Sequence, residues 1–158
     1  VDEATLRDAL ARLPAGVVLV ATRDRDGFRG VTTTSFTQVS LQPSLVLVCL
    51  DRLAASRDAV IGHGAFTASV LPAGSAFLAD RFSGQAPAAD PTWREVPHRL
   101  GANGLPIVAD AVAWFECAVR SVSEAGDHDI VLATVTAVGR GGGEPLLHWE
   151  RGYWSLGR

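Results

Sequence analysis

The chain has 158 residues, 47% of them hydrophobic and 20% charged, with a formal net charge of −3. That length fits one domain with a real core, and the acidic balance leaves no basic footprint for nucleic acid. All fourteen basic residues are arginine, which excludes chemistry that needs a lysine amine, such as a Schiff base or a phosphate-loop lysine.

Residues 2–13 read as a helix, with Leu6, Ala9, Leu10 and Leu13 at helical spacing and Pro14-Ala15-Gly16 as the stop. Residues 17–22 form a continuous apolar strand. Asp26-Gly27 is a hairpin signal, and the return strand runs from Phe28 into a hydroxyl-rich block. Gln42-Pro43 breaks the chain before 45–50, the most apolar strand, expected to be central and buried on both faces. A short helix follows over 54–61, with Ser56 as candidate cap, then a strand over 66–71 and a helix over 72–82. Residues 83–103, rich in Pro, Gly and Ala, read as a surface excursion or lid. Strands over 111–124 and 130–139 pair as a hairpin through Gly126-Asp127-His128-Asp129. A glycine-rich turn over 140–144 leads to a short strand over 146–149 and a terminal Tyr153-Trp154. Many short strands with few helices predict a mainly β single domain, a closed barrel with peripheral helices.

Several familiar sites are missing. The Gly139–Glu144 turn has Glu where the third glycine of a dinucleotide fingerprint belongs, and no helix pattern follows it. There is no phosphate loop, zincin helix or serine-hydrolase elbow. Cys49 and Cys117 sit in apolar runs, where buried free thiols are expected, and two cysteines do not make a metal site. No apolar run reaches membrane-spanning length and no leader pattern is visible, so a cytoplasmic location is the default expectation.

The hydroxyl block places Thr32, Thr33, Thr34, Ser35, Thr37, Ser40 and Ser44 between two apolar segments. Two readings are open for it: an edge strand with solvated threonines, or a backbone that lies against a polar, planar, phosphorylated ligand. His128 differs from the other three histidines because Asp127 and Asp129 flank it in a tight turn. It is either a charged hairpin tip or an imidazole held by a carboxylate and presented to a ligand. Arg81 and Phe82 end a helix, where they either meet a phosphate and a ring or offset the dipole and plug the core.

Six segments, LPAGVVLVAT, RGVTTTSFTQVSLQPSLVLVCLD, FTASVL, LADRFSG, AWFECAV and GDHDIVLATV, follow in order along nearly the whole chain. Together they resemble the flavin reductase-like family, whose fold is the FMN-binding split barrel. The resemblance implies an NAD(P)H:flavin oxidoreductase that reduces FAD, with FMN possible, using NADH, with NADPH possible. It implies a homodimer that passes reduced flavin to a separate monooxygenase component, with no metal, nucleic acid or membrane involved.

The resemblance also implies roles for single positions. Thr32, Thr33, Thr34 and Ser35 line the flavin ring, and Cys49, Leu50 and Asp51 continue that wall. Ser56 and Arg57 lie towards the phosphates, and Arg81 and Phe82 approach the ribityl phosphate or adenylate end. His128 sits over the nicotinamide side, as a positioning group rather than a general base, and Tyr153 helps close that side. Three rivals stand beside this reading: a flavin-binding protein for storage or sensing, a small-barrel module for single-stranded nucleic acid, and an oxidase of the pyridoxamine phosphate type. The second lacks stacking aromatics and a basic groove.

Overall fold

The computed structural model describes residues 1–84 and 92–157. Its main sheet has seven strands, each antiparallel to its neighbours: β2 (Val18–Asp24), β3 (Gly27–Thr33), β4 (Thr37–Leu41), β5 (Ser44–Asp51), β6 (Ala65–Val70), β9 (Ala113–Ala125) and β10 (His128–Arg140). Their order is β3-β2-β6-β9-β10-β5-β4, so the chain passes from one edge of the sheet to the other between residues 33 and 37. The ladder is not closed across that step, which corrects the expected closed barrel to a split one. Two small sheets flank it: β1 (Ala15–Gly16) with β11 (Leu147–Trp149) and β12 (Gly152–Trp154), and β7 (His98–Leu100) with β8 (Pro106–Val108). The helices are α1 (Glu3–Ala11), α2 (Ala55–His63) and α3 (Ala76–Arg81).

Two apolar clusters meet at β2. Val18 and Val20 point into the barrel interior with Val46, Val48, Leu50, Phe66 and Val131. Leu19 and Ala21 point the other way, into a cluster with Leu71, Leu78, Phe82 and Trp93. β2 is therefore buried on both faces, as is its neighbour β6 over Phe66–Ser69. The expectation for 45–50 is corrected: Val46, Val48 and Leu50 are buried, while Leu45, Leu47 and Cys49 alternate with them on a half-buried face. An apolar run fixes that a strand is buried, and its neighbours decide on how many faces.

Turn chemistry sets the hairpins. Gly27 closes the β2–β3 turn with φ +132°, and Gly126 opens the two-residue turn between β9 and β10 with φ +68°, which only glycine adopts freely. The β9–β10 pairing sets His128 beside Ala125, and the β10–β5 pairing sets it beside Asp51. Helix α1 is capped by Asp2, whose Oδ1 accepts from Thr5 N at 2.9 Å. None of its residues is buried, and Leu6 and Leu10 stay exposed. For α2 the cap is Ala54, with no side-chain bond, so Ser56 falls in the first turn instead of capping it. Part of the expected 83–103 excursion, residues 85–91, lies outside the described residues; the rest carries β7. Both cysteines are free; Cys117 is buried and Cys49 only half-buried. Burial, then the neighbouring Glu116 charge, pushes the Cys117 thiol up to about 12, so it stays an inert thiol.

Candidate functional site

A cleft of about 590 Å³ opens at the gap between β3 and β5, within the ~300–1,000 Å³ range of small-molecule sites. Its floor is the hydroxyl block. There β5 runs past the end of its β4 pairing at Thr37–Leu47, and its backbone beyond needs substitutes for ladder bonds. Ser35 supplies them: its Oγ accepts from Cys49 N at 2.9 Å and donates to Cys49 O at 3.0 Å. With the serine proton so used, Thr33 Oγ1 donates to Ser35 Oγ at 2.7 Å and accepts from Ser35 N at 3.0 Å. Thr32 is tied the other way, to α3: its Oγ1 donates to Ala79 O at 2.6 Å and its N to Phe82 O at 3.1 Å.

The hydroxyls of Thr32, Thr33 and Ser35 thus hold the floor in shape. Thr34, exposed between them, has no side-chain hydrogen bond among the described residues. Its hydroxyl faces the cleft uncommitted to the scaffold. The signal for this division of labour was absent from the sequence, because all four residues read alike.

The second wall comes from the end of β5 and the loop after it. Cys49, Leu50 and Asp51 line the cleft, followed by Leu53, Ala54 and Ser56. Asp51 Oδ1 accepts from Leu53 N at 2.8 Å, and Ala54 N donates to Asp51 O at 3.1 Å, which turns the chain into α2. His128 completes the wall. Its Nδ1 lies 2.7 Å from Asp127 Oδ1, and the imidazole bond, followed by its charge, holds the Asp127 carboxyl below its ordinary value. In the tautomer whose Nδ1–H donates to that carboxylate, Nε2 is the ring nitrogen left toward the cleft.

Four nominated residues sit elsewhere. Arg57 is pulled away from the cleft: its Nε donates to Asp129 Oδ2 at 2.6 Å and its Nη1 to Asp58 Oδ1 at 2.8 Å. Arg81 Nη1 donates to Arg94 O at 3.1 Å, beside a separate cavity of about 380 Å³. Phe82 is core: its ring is buried, packs 5.2 Å from Trp93 centroid to centroid, and lies so close under Gly30 that an added Cβ would sit 2.7 Å from it. It serves the floor only through its carbonyl. Tyr153 donates its hydroxyl to Asp80 Oδ1 at 2.9 Å, and burial, then Asp80, pushes it up to about 12. It braces α3 rather than lining the cleft.

Sequence reasoning missed Val31, Leu53, Ala54, Ser83 and Gly84 as lining residues. Gly84, at φ +73° after the end of α3, carried a signal: Ser-Gly after a helix marks a stop where backbone comes to the surface. A second cavity, about 600 Å³, lies between the β2–β3 turn and α2, lined by Arg23, Arg25, His63 and three aspartates. Its acids and bases neutralise one another in part, as Arg25 with Asp26, and it lacks the hydroxyl groups of the first. Among the described residues no group of three His, Cys, Asp or Glu side chains is placed to hold a metal.

Comparison with known proteins agrees with this architecture. The flavin reductase like domain matches residues 10–157. A probable flavin reductase of Rhizobium meliloti (strain 1021) is 37% identical over 98% of this chain, which spans about half (49%) of that relative's length. The actinorhodin polyketide dimerase of Streptomyces coelicolor is 40% identical over 98% of the chain and 87% of its own length. Among solved structures, the Streptomyces globisporus NADH:FAD oxidoreductase SgcE6, in complex with NAD and FAD fragments, superposes with a TM-score of 0.89 at 34% identity, covering 97% of this chain and 92% of its own. On the domain match, the identities and the shared fold, the chain belongs to the flavin reductase-like family.

Proposed function

We propose that the cleft takes a flavin against the 32–35 floor and the nicotinamide end of NADH on its His128 side, making the chain an NADH:flavin oxidoreductase. The observation that carries this reading is convergence. Three separate stretches, 32–35, 49–51 and 128, come together around one opening at the split of the sheet. The donor set fits the group: exposed Thr34, strand-end backbone and the half-exposed imidazole suit a flat ring with polar edges, and Val31 suits its face. Bound flavin supplies the hydride-accepting chemistry.

The protein's own work is to hold and orient. The Ser35 and Thr32 bonds keep the floor rigid before any ligand arrives, which lowers the cost of ordering it. Asp127 fixes the His128 ring, and its Nε2 is suited to accept from an amide such as a carboxamide. No protein nucleophile is required. Cys49 is half-buried and its backbone is committed to Ser35.

FAD is favoured with FMN accepted, and NADH over NADPH, because the arginines nearest His128 are already paired with acids. We further propose that reduced flavin leaves for a separate monooxygenase component, and that the protein is a cytoplasmic homodimer. The uncovered apolar side chains of α1 and the exposed Trp154 support the dimer. Among the described residues, no helix is long and apolar enough to cross a membrane.

Anaerobic titration of the protein plus FAD or FMN with NADH or NADPH, followed by flavin bleaching, tests the activity. Rapid bleaching with NADH is expected. Tight flavin binding without bleaching would replace the reductase with a flavin-binding protein.

A further inference from the structure

Asp129 does not line the cleft, yet its carboxylate has no solvent exposure. It follows His128 on β10. Strand alternation turns it inward with Val131 and Ala133, while His128 faces the cleft. Its Oδ2 receives Arg57 Nε at 2.6 Å and also Arg57 Nη2. Its Oδ1 is buried and has no hydrogen-bond partner among the described residues; Arg52 Nε lies 3.8 Å away. A buried carboxylate is kept only where compensating charge is fixed around it.

The placement of those two arginines is the point. Arg52 and Arg57 bracket the β5–α2 connection, which gives Leu53, Ala54 and Ser56 to the cleft. Arg52 is also drawn toward the β9–β10 turn, its N donating to Asp127 O at 3.0 Å and its Nη2 to Glu124 Oε1 at 2.7 Å. One interior carboxylate therefore faces both ends of the segment that builds one cleft wall, and sits next in sequence to His128 on the same strand.

We propose that Asp129 is a positioning residue: by gathering Arg57 and Arg52 it fixes residues 52–57 against β10 and so sets the width of the cleft. This rests on the cleft being the flavin site. Arg57 is then part of the wall's anchor, in place of the phosphate contact expected from sequence. The role predicts an effect on flavin affinity that leaves turnover at saturation alone, a split that general loss of stability does not produce.

The test is Asp129→Asn, read by fluorescence titration with FAD, steady-state kinetics and amide hydrogen exchange of ligand-free protein. Expected are a flavin Kd raised about tenfold, kcat at saturating flavin within about twofold, and faster exchange confined to 52–57. Arg57→Gln should give the same Kd, and the double variant should add nothing to either single one. Asp58→Asn, which removes only the exposed partner of Arg57, should leave the flavin Kd unchanged. If Asp129→Asn does not fold, Arg57→Gln and Arg52→Gln carry the test from the surface side. A folded Asp129→Asn with wild-type Kd and exchange, or additive effects with Arg57→Gln, overturns the role. Wild-type protein run alongside separates the two failures. If FAD protects no amides at 32–35, the cleft reading falls and takes this one with it. If FAD does protect them while Asp129→Asn is silent, only the positioning role falls.

Discussion

Ser35→Ala tests the floor of the cleft most directly. The substitution deletes one oxygen that makes three hydrogen bonds, two with the Cys49 backbone and one with Thr33 Oγ1. A typical bond contributes about 0.5–1.5 kcal/mol net. Cys49 is half-buried, so water recovers part of the loss. A total of about 2 kcal/mol follows, which lowers Tm by about 4–8 °C in a chain of this size. Because the lost bonds join β3's exit to β5 across the split, much of the damage falls on the ligand-free cleft. If two-thirds of it must be restored on binding, flavin Kd rises about tenfold. Thermal melts and FAD titration by fluorescence quenching measure both. Ser35→Thr keeps the hydroxyl and should recover most of the affinity. Ser44→Ala, whose exposed Oγ makes only a 3.2 Å bond to Leu41 O, should change neither quantity. A Ser35→Ala protein with wild-type Tm and wild-type flavin affinity would refute the idea that this hydroxyl stands in for the missing ladder.

His128→Ala should raise the NADH KM or slow flavin bleaching in stopped flow while FAD affinity stays near wild type; unaltered kinetics would remove His128 from the nicotinamide side. Gly30→Ala places a Cβ 2.7 Å from the Phe82 ring, so overpacking should cost about 1–3 kcal/mol in a urea melt. Tyr153→Phe should weaken the α3 brace and change the alkaline limb of stability. The wild-type hydroxyl, raised from 10.0 to about 12, stabilises the fold fully below pH 10 and loses that contribution as pH rises towards 12. Melts at pH 9 to 11.5 should therefore show a steeper decline in wild type than in the phenylalanine variant.

Much of the fold was legible because it rests on local chemistry. Asp26-Gly27 and Gly126-Asp127 each mark a hairpin whose turn needs positive φ, and both hairpins form where the dipeptides stand. The two-faced burial of β2 was not legible. The runs 17–22 and 45–50 are both apolar, the second the more so, and only the order of strands decides which one has a second cluster behind it. The site was half legible for a related reason. Thr32 to Ser35, Cys49 to Asp51, Ser56 and His128, positions to which the family resemblance points, line one cleft. Arg57 does not, and its role was not legible because its partner Asp129 is 72 residues away. Near a helix start an arginine invites a phosphate, but a buried carboxylate at contact distance is the stronger claimant. Phe82 failed similarly: the gap beneath Gly30 that receives its ring exists only once β3 and α3 are packed.

The cleft's residues are tied to the scaffold in three independent directions. Thr32 is bonded to α3, Ser35 to β5, and the 52–57 segment to β10 through Arg57. The same arrangement explains why an unclosed sheet is useful. The end of β5 extends beyond β4, and one serine hydroxyl satisfies Cys49 there without a further strand, so the split stays open with no orphaned backbone at that residue. A hydroxyl-rich run at the point where a barrel fails to close is thus a device with two consequences, a stable edge and a preformed slot. Ser35 is the residue at which stability and ligand affinity should fall together, while His128 should affect turnover without affecting stability.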